Sequence, residues 1–182
     1  MSHHAVLLRA LAAIASVAAF TALMGVPVAA KVAPLALADL TRQAEFVGVA
    51  RVDRVSLRIP LVLRRQARAV VLESWKGRSE GRLSVRASST WACDISDASD
   101  GEEIVVFVRD GPLLHAGRGR MPIFSRNGRR LAAVWADVRL PADLGTEDGP
   151  DPAVQFVRAV GVDDLRQAVA AVLSTTVPTS GS

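Results

Sequence analysis

The residues best suited to covalent catalysis are Cys93, the single thiol of the chain, and His115, its single imidazole beyond residue 4. An imidazole beside a thiol can take the thiol proton and create a nucleophile. No third residue is marked by its spacing as a partner that would orient this couple. The chain also holds no His-Glu-x-x-His, Gly-x-Ser-x-Gly or Walker-type motif. We therefore predict no catalytic residues, and keep a thiol-dependent hydrolase using Cys93 as the alternative.

An acidic segment provides the main group of candidate metal ligands. Its carboxylates belong to Asp94, Asp97, Asp100, Glu102 and Glu103. Such oxygens suit Ca²⁺, but their spacing is not that of an EF-hand loop. One thiol with one imidazole cannot supply the ligands of a zinc site. We predict no metal site and no cofactor, and interpret this segment as a solvated loop.

The first 30 residues have the plan of a signal peptide. Arg9 precedes an apolar run over residues 11–26, Pro27 ends that run, and small residues at 28–30 precede Lys31. Signal peptidases cleave after small residues of this kind. We therefore predict cleavage before Lys31 and a periplasmic or secreted protein. The alternative is an uncleaved, membrane-tethering helix, because the run extended to residue 30 reaches the roughly 20 residues that span a bilayer.

Beyond the leader we predict one domain over residues 31–173, followed by a disordered tail at 174–182, and the composition of the whole chain is compatible with this. Half of the residues are apolar and 22% are charged, so a chain of this length can bury a core. With one Cys no intramolecular disulfide can form, and the core must be stable without one.

Charge alternates along the chain in blocks. Residues 42–86 carry 11 basic and 4 acidic side chains, 87–110 carry 1 and 6, 111–139 carry 6 and 1, and 140–182 carry 2 and 6. Blocks of opposite sign can pair across a fold. Binding to single-stranded nucleic acid would also require aromatic stacking faces beside the arginines. With no Tyr and five Phe in the chain, we do not expect a nucleic-acid partner.

The elements that position these residues are predicted to be mainly strands. Alternating and β-branched residues predict strands at 46–57, 68–75, 83–87, 104–108, 121–126 and 129–138. The run Ile104–Val108 has no polar face, so it should be a central strand buried on both sides. Asn127-Gly128 tolerates the positive φ angles of a type I′ turn and predicts a hairpin.

Helices are predicted on both sides of these strands. Apolar spacing favours a short helix over 35–44, another over 152–160, and a third behind Asp163 and Asp164, whose charges suit a helix N-terminus. A meander with a long, bent first strand and flanking helices is typical of a small barrel. The predicted fold is therefore mainly β, an OB-like five- to six-stranded barrel with a short N-terminal helix and C-terminal helices.

Several short motifs occur in a characteristic order. They are Glu45–Val52, Val70–Gly77 with its closing Lys-Gly, Leu83-Ser-Val85, Trp91–Asp94 and Gly101–Val108. Over about residues 35–140 this order resembles the netrin-like, or TIMP-like, OB-fold domains of exported bacterial proteins.

The resemblance also shows where this chain departs from the family. Inhibitory members use a Cys-x-Cys at the mature N-terminus, whereas the expected start here is Lys31-Val-Ala-Pro34. Cys93 matches a family Cys, but Asp94 replaces the usual Gly. The resemblance therefore implies the fold and export, but not metalloprotease inhibition.

These observations together predict an exported, non-enzymatic OB-like domain that binds a protein, a peptide or an envelope component. A membrane would be a partner only with an uncleaved leader. A cleft beside Trp75, Trp91 or Trp135 would be the natural binding site.

Overall fold

The structure is a computed structural model that describes residues 34–58, 64–77, 81–87, 98–109, 116–150 and 156–175. The chain divides into two units, Met1–Val32 and Ala33–Ser182, and all described residues lie in the second. None of the helices in these described ranges has the length and apolar character needed to cross a membrane.

The described elements are mostly strands, which confirms the mainly β prediction. In chain order they are β1 (Leu35–Ala36), α1 (Leu37–Gln43), β2 (Phe46–Arg58), β3 (Arg64–Lys76), β4 (Arg82–Arg86), β5 (Glu103–Val108), a 3-10 turn (Ala116–Gly119), β6 (Arg120–Arg126), β7 (Arg129–Val134), β8 (Val138–Arg139), β9 (Glu147–Asp148), β10 (Arg158–Gly161) and α2 (Val162–Ser174).

Eight of the strands form one antiparallel sheet in the order β4-β3-β2-β5-β6-β7-β10-β9. The long strand β2 is paired on one side with β3 and on the other with β5. A separate parallel pair joins β1 to β8. Within the described ranges no pairing joins the edge strands β4 and β9, so the sheet is not closed into a barrel there.

Strand β5 has the double burial that its sequence predicts. Ile104, Val106 and Val108 lie in a core made by strands β2 to β5, which we call the strand core. Val105 and Phe107 point the other way into a core that includes α1 and α2, which we call the helix-side core. The sheet face toward the helix-side core is the helix face. Because both faces of β5 are covered, the strand has no polar position between 104 and 108.

Three register shifts interrupt the pairing of β2 with β3. Two of them leave an extra residue on β3, at Leu72 and Trp75, and the third leaves Asp53 extra on β2. A bulge reverses the side on which the following residues point and increases local twist. Ala67 and Ala69 thus face the strand core, whereas Trp75 packs against the helix-side core.

The predicted hairpin at Asn127-Gly128 is confirmed. Asn127 has φ 52° and Gly128 has φ 75°, and the register of β6 with β7 runs through Arg126 opposite Arg129. The second strand ends at Val134 rather than at 138.

The helix predictions need two corrections. The first helix begins at Leu37, because Leu35 and Ala36 pair with Val138 and Arg139. The helix predicted over 152–160 is wrong for residues 158–160, which form β10 against β7, and residues 152–155 lie outside the described ranges.

The last helix, α2, occurs behind Asp163 and Asp164 as predicted. It buries Leu165 and Val169 and includes Ser174, the first residue of the expected tail. Residues 176–182 lie outside the described ranges.

Candidate binding surface

The residues that suggested covalent or metal chemistry are only partly described. Cys93, His115 and Trp91, together with Asp94 and Asp97, lie outside the described ranges. Among the residues that the structure does describe, no group of three or more His, Cys, Asp or Glu side chains could hold a metal ion.

The described part of the acidic segment binds other parts of the protein. Asp100 Oδ1 accepts a hydrogen bond from the backbone N–H of Val55 at 2.6 Å. Glu102 Oε2 accepts from the N–H of Ser99 at 3.0 Å and from Arg120 at 3.2 Å. Only 3% of Arg120 is exposed, so its charge is compensated inside the fold. These two carboxylates therefore join the 98–102 turn to β2 and β6.

The closing Lys-Gly of the family-like motif has a structural role. The Lys76 ammonium donates to the carbonyl oxygens of Thr41, at 2.8 Å, and Arg42, at 3.1 Å, and also to that of Ala44. A cation at these carbonyls satisfies the C-terminal acceptors of α1 and suits the helix dipole. Burial lowers the pKa of Lys76, although three close acceptors favour the ammonium form at neutral pH.

Two glycines of the same motifs allow close approach of backbone segments. Gly77 has φ 72°, and a Cβ placed there would lie 2.1 Å from the carbonyl oxygen of Glu45. A Cβ at Gly48 would lie 2.1 Å from the carbonyl oxygen of Glu73. The glycine at position 48 is therefore explained by the close approach of β3.

The tryptophans differ in their surroundings. Trp135 is buried, stacks edge-on against Phe156 with centroids 5.1 Å apart, and donates from Nε1 to the carbonyl of Arg120. Trp135 therefore stabilises the core and is not part of a binding surface. Trp75 is partly buried and donates from Nε1 to Glu73 Oε2 at 3.1 Å, which places it beside a surface cleft.

This surface, which we call the Glu73–Glu103 cleft, lies where β3, β5, β6 and β7 leave the helix face uncovered. It is a shallow depression of about 750 Å³ lined by Leu72, Glu73, Glu103, Phe124 and Arg130, among others. Leu72 is 40% exposed and is the one large hydrophobic side chain found exposed in the described ranges. The β3 bulge accounts for its exposure.

Charged groups on the cleft hold one another in fixed positions. Arg130 lies between two carboxylates, with Nη1 3.3 Å from Glu73 Oε1 and Nη2 3.0 Å from Glu103 Oε2. Arg166 of α2 approaches Glu73 Oε2 at 3.9 Å. The guanidinium of Arg126 lies 5.3 Å from the centroid of the Phe124 ring at the rim. The cleft thus combines one exposed apolar residue with charged groups that are paired with one another.

Sequence reasoning did not identify Leu72, Glu73 or Arg130 as surface partners. Simple alternation through Val70–Trp75 does not reveal a bulge, because a bulge depends on the register with β2. The only available signal was the alternation of charge, since Arg130 and Glu103 come from adjoining blocks of opposite sign.

No protein-family model matches this sequence, and a comparison with curated proteins finds no match either.

Proposed function

We propose that this chain is an exported, non-enzymatic OB-like binding domain that binds a protein, a peptide or an envelope component through its uncovered helix face. The observation that carries the proposal is the Glu73–Glu103 cleft. There Leu72 is exposed beside Arg130, which two glutamates hold in place. An exposed apolar side chain next to polar groups that are already held in position favours binding of a partner over exposure of this surface to water.

The strand order supports the OB-like part of the proposal. Strands β2, β3 and β4 follow one another in the sheet, and β5 returns to lie beside β2. This is the arrangement of a Greek key, and an OB-fold is a partly open, five-stranded Greek-key barrel. In this proposal β6 is the fifth strand, and the domain is netrin-like.

The residue pattern of the first 30 positions supports export. We expect the exported form to begin at Lys31 and to be periplasmic or secreted. An intact mass that retains the first 30 residues would instead favour the membrane-tethered alternative.

The binding role can be tested with the chain as it is recovered from the expressing cells. The chain, immobilised on resin, is exposed to an envelope extract, and the retained material is compared among wild type, Leu72→Ser and Arg130→Gln. Arg139→Gln is the matched control, because Arg139 is also exposed but lies on β8. Circular dichroism confirms that each variant is folded.

We expect a partner that wild type and Arg139→Gln retain, and whose retention falls by about five-fold or more in both cleft variants, the loss that corresponds to about 1 kcal/mol of binding free energy. Retention of nothing above the bare resin would refute the binding role. Retention that the two cleft variants do not change would refute the cleft as its location.

A further inference from the structure

We infer that an array of four arginines beside the cleft binds the phosphate groups of an anionic phospholipid surface. The array consists of Arg51 and Arg54 on β2, Arg68 on β3 and Arg82 on β4, and all four are exposed. This inference rests on the proposed function, because it gives the same uncovered helix face an envelope component to bind beside the cleft.

The sheet register places these arginines on one face. Ala67 and Ala69 point into the strand core, so Arg68 between them points away from it. Arg54 is directly opposite Arg68, and directly opposite residues share a face. The arginine array is therefore a continuation of the helix face beyond α1 and α2.

Two cross-strand rows make up the array. One row runs from Arg54 through Arg68 to Ser84, and the other from Arg51 through Val70 to Arg82. Neighbouring strands lie about 4.8 Å apart, so the guanidinium groups spread over three strands rather than along one line. This spread fits a flat surface with many phosphates better than a single extended peptide.

The charges of the array are not compensated within the described part of the chain. The four arginines form no ion pair with another described residue, whereas Arg120 and Arg130 of the later basic block pair with Glu102 and Glu103. Glu103 is opposite Arg51 in the sheet but is bonded to Arg130.

The array also contains a repulsive contact that an anion would relieve. Arg54 and Arg68 lie directly opposite each other, and like charges in that position destabilise a sheet. Asp53, next to Arg54, is exposed and is the extra residue of the bulge, so no residue of β3 lies directly opposite it. A phosphate between the two guanidinium groups would accept hydrogen bonds from both.

The chemistry of the two rows favours phospholipid over other polyanions. A guanidinium can donate two parallel hydrogen bonds to a phosphate group. Binding of single-stranded nucleic acid would also use aromatic faces for stacking, and a protein interface usually has a large anchor residue. The other positions of the two rows are Ser84 and Val70, which provide neither.

The experiment is sedimentation with two kinds of vesicle, one of phosphatidylcholine alone and one containing phosphatidylglycerol. The apolar leader, if present, would bind both kinds, so the measured quantity is the ratio of the two partition coefficients. The test variant is Arg54→Gln with Arg68→Gln. The matched control is Arg42→Gln with Arg139→Gln, which removes the same charge from exposed positions outside the array.

We expect wild type to prefer the anionic vesicles, and the test variant to lose about five-fold of that preference for each arginine removed. The control pair should lose little. An equal loss in both variants would refute the array, since net charge alone would then explain the preference. No preference in wild type, or tighter binding to polyglutamate than to the vesicles, would refute a phospholipid target. If the resin experiment still retained a partner, the proposed function would stand without this inference.

Discussion

Replacing Gly77 with Ala tests whether the Lys-Gly at the end of β3 is a structural junction. Two separate costs are expected. The left-handed backbone at φ 72° is unfavourable for an Ala by about 1–2 kcal/mol. In addition, the new Cβ would lie 2.1 Å from the carbonyl oxygen of Glu45, where protein Cβ atoms essentially never come within 3.0 Å.

The second cost arises because the backbone on both sides of the Glu45 carbonyl is held by sheet hydrogen bonds. The N–H of Glu45 donates to Val108 O at 2.9 Å, and the next residue is Phe46, the first of β2. The carbonyl would have to move by close to an ångström against this pairing. Overpacking of this kind costs about 1–3 kcal/mol, so the total loss for Gly77→Ala is about 2–5 kcal/mol.

The control is Gly128→Ala at the hairpin turn. Gly128 has φ 75°, similar to that of Gly77, but no atom lies within 4 Å of a Cβ placed there. The control therefore isolates the backbone cost of about 1–2 kcal/mol. Urea unfolding with linear extrapolation measures both variants. If Gly77→Ala lowered the free energy of unfolding by no more than Gly128→Ala does, the inferred clash with the Glu45 carbonyl would be refuted.

Two further predictions concern buried charge. Because burial lowers the pKa of Lys76 from 10.5, the unfolded chain holds that proton more tightly between the two pKa values, and the free energy of unfolding should rise with pH there. The difference from a Lys76→Met variant isolates this effect, and a difference that stays constant in pH up to 10.5 would contradict it. Glu102→Ala should lower the free energy of unfolding by about 2–3 kcal/mol, because buried Arg120 loses a charged partner. Glu147→Ala, which breaks an exposed ion pair, should cost less than about 1 kcal/mol, and equal costs would show that burial of Arg120 does not matter.

The sequence was informative wherever local chemistry decides the structure. The apolar run Ile104–Val108 can be accommodated only between two covered faces, and Asn127-Gly128 only in a turn with positive φ. Both predictions are confirmed. The same holds for α2, whose apolar spacing and acidic first turn are properties of the helix itself.

Predictions were wrong where a pairing partner that is distant in the sequence decides whether a segment forms a helix or a strand. Residues 158–160 have helix-compatible side chains but form a strand, because β7 offers a free edge to pair with. Leu35 and Ala36 leave the first helix for the same reason, since β8 lies beside them. Chain periodicity carries no information on these partners.

The candidate surface depends even more on tertiary pairing. A single extra residue on β3 turns Leu72 toward solvent, and only the register of β2 with β3 reveals it. The arginines of residues 42–86 were visible as a charge excess, but their common face follows from the bulge at Asp53. The composition does not show whether these arginines form ion pairs.

The short parallel pair of β1 with β8 has a consequence for how the domain is made during synthesis. Leu35 needs Val138 as its partner, and α1 packs beside α2. The first described elements therefore stay unfinished until nearly the entire domain has left the ribosome. Contacts of β1 and α1 join segments that lie more than 100 residues apart in the chain, so these two elements must wait for β8 and α2.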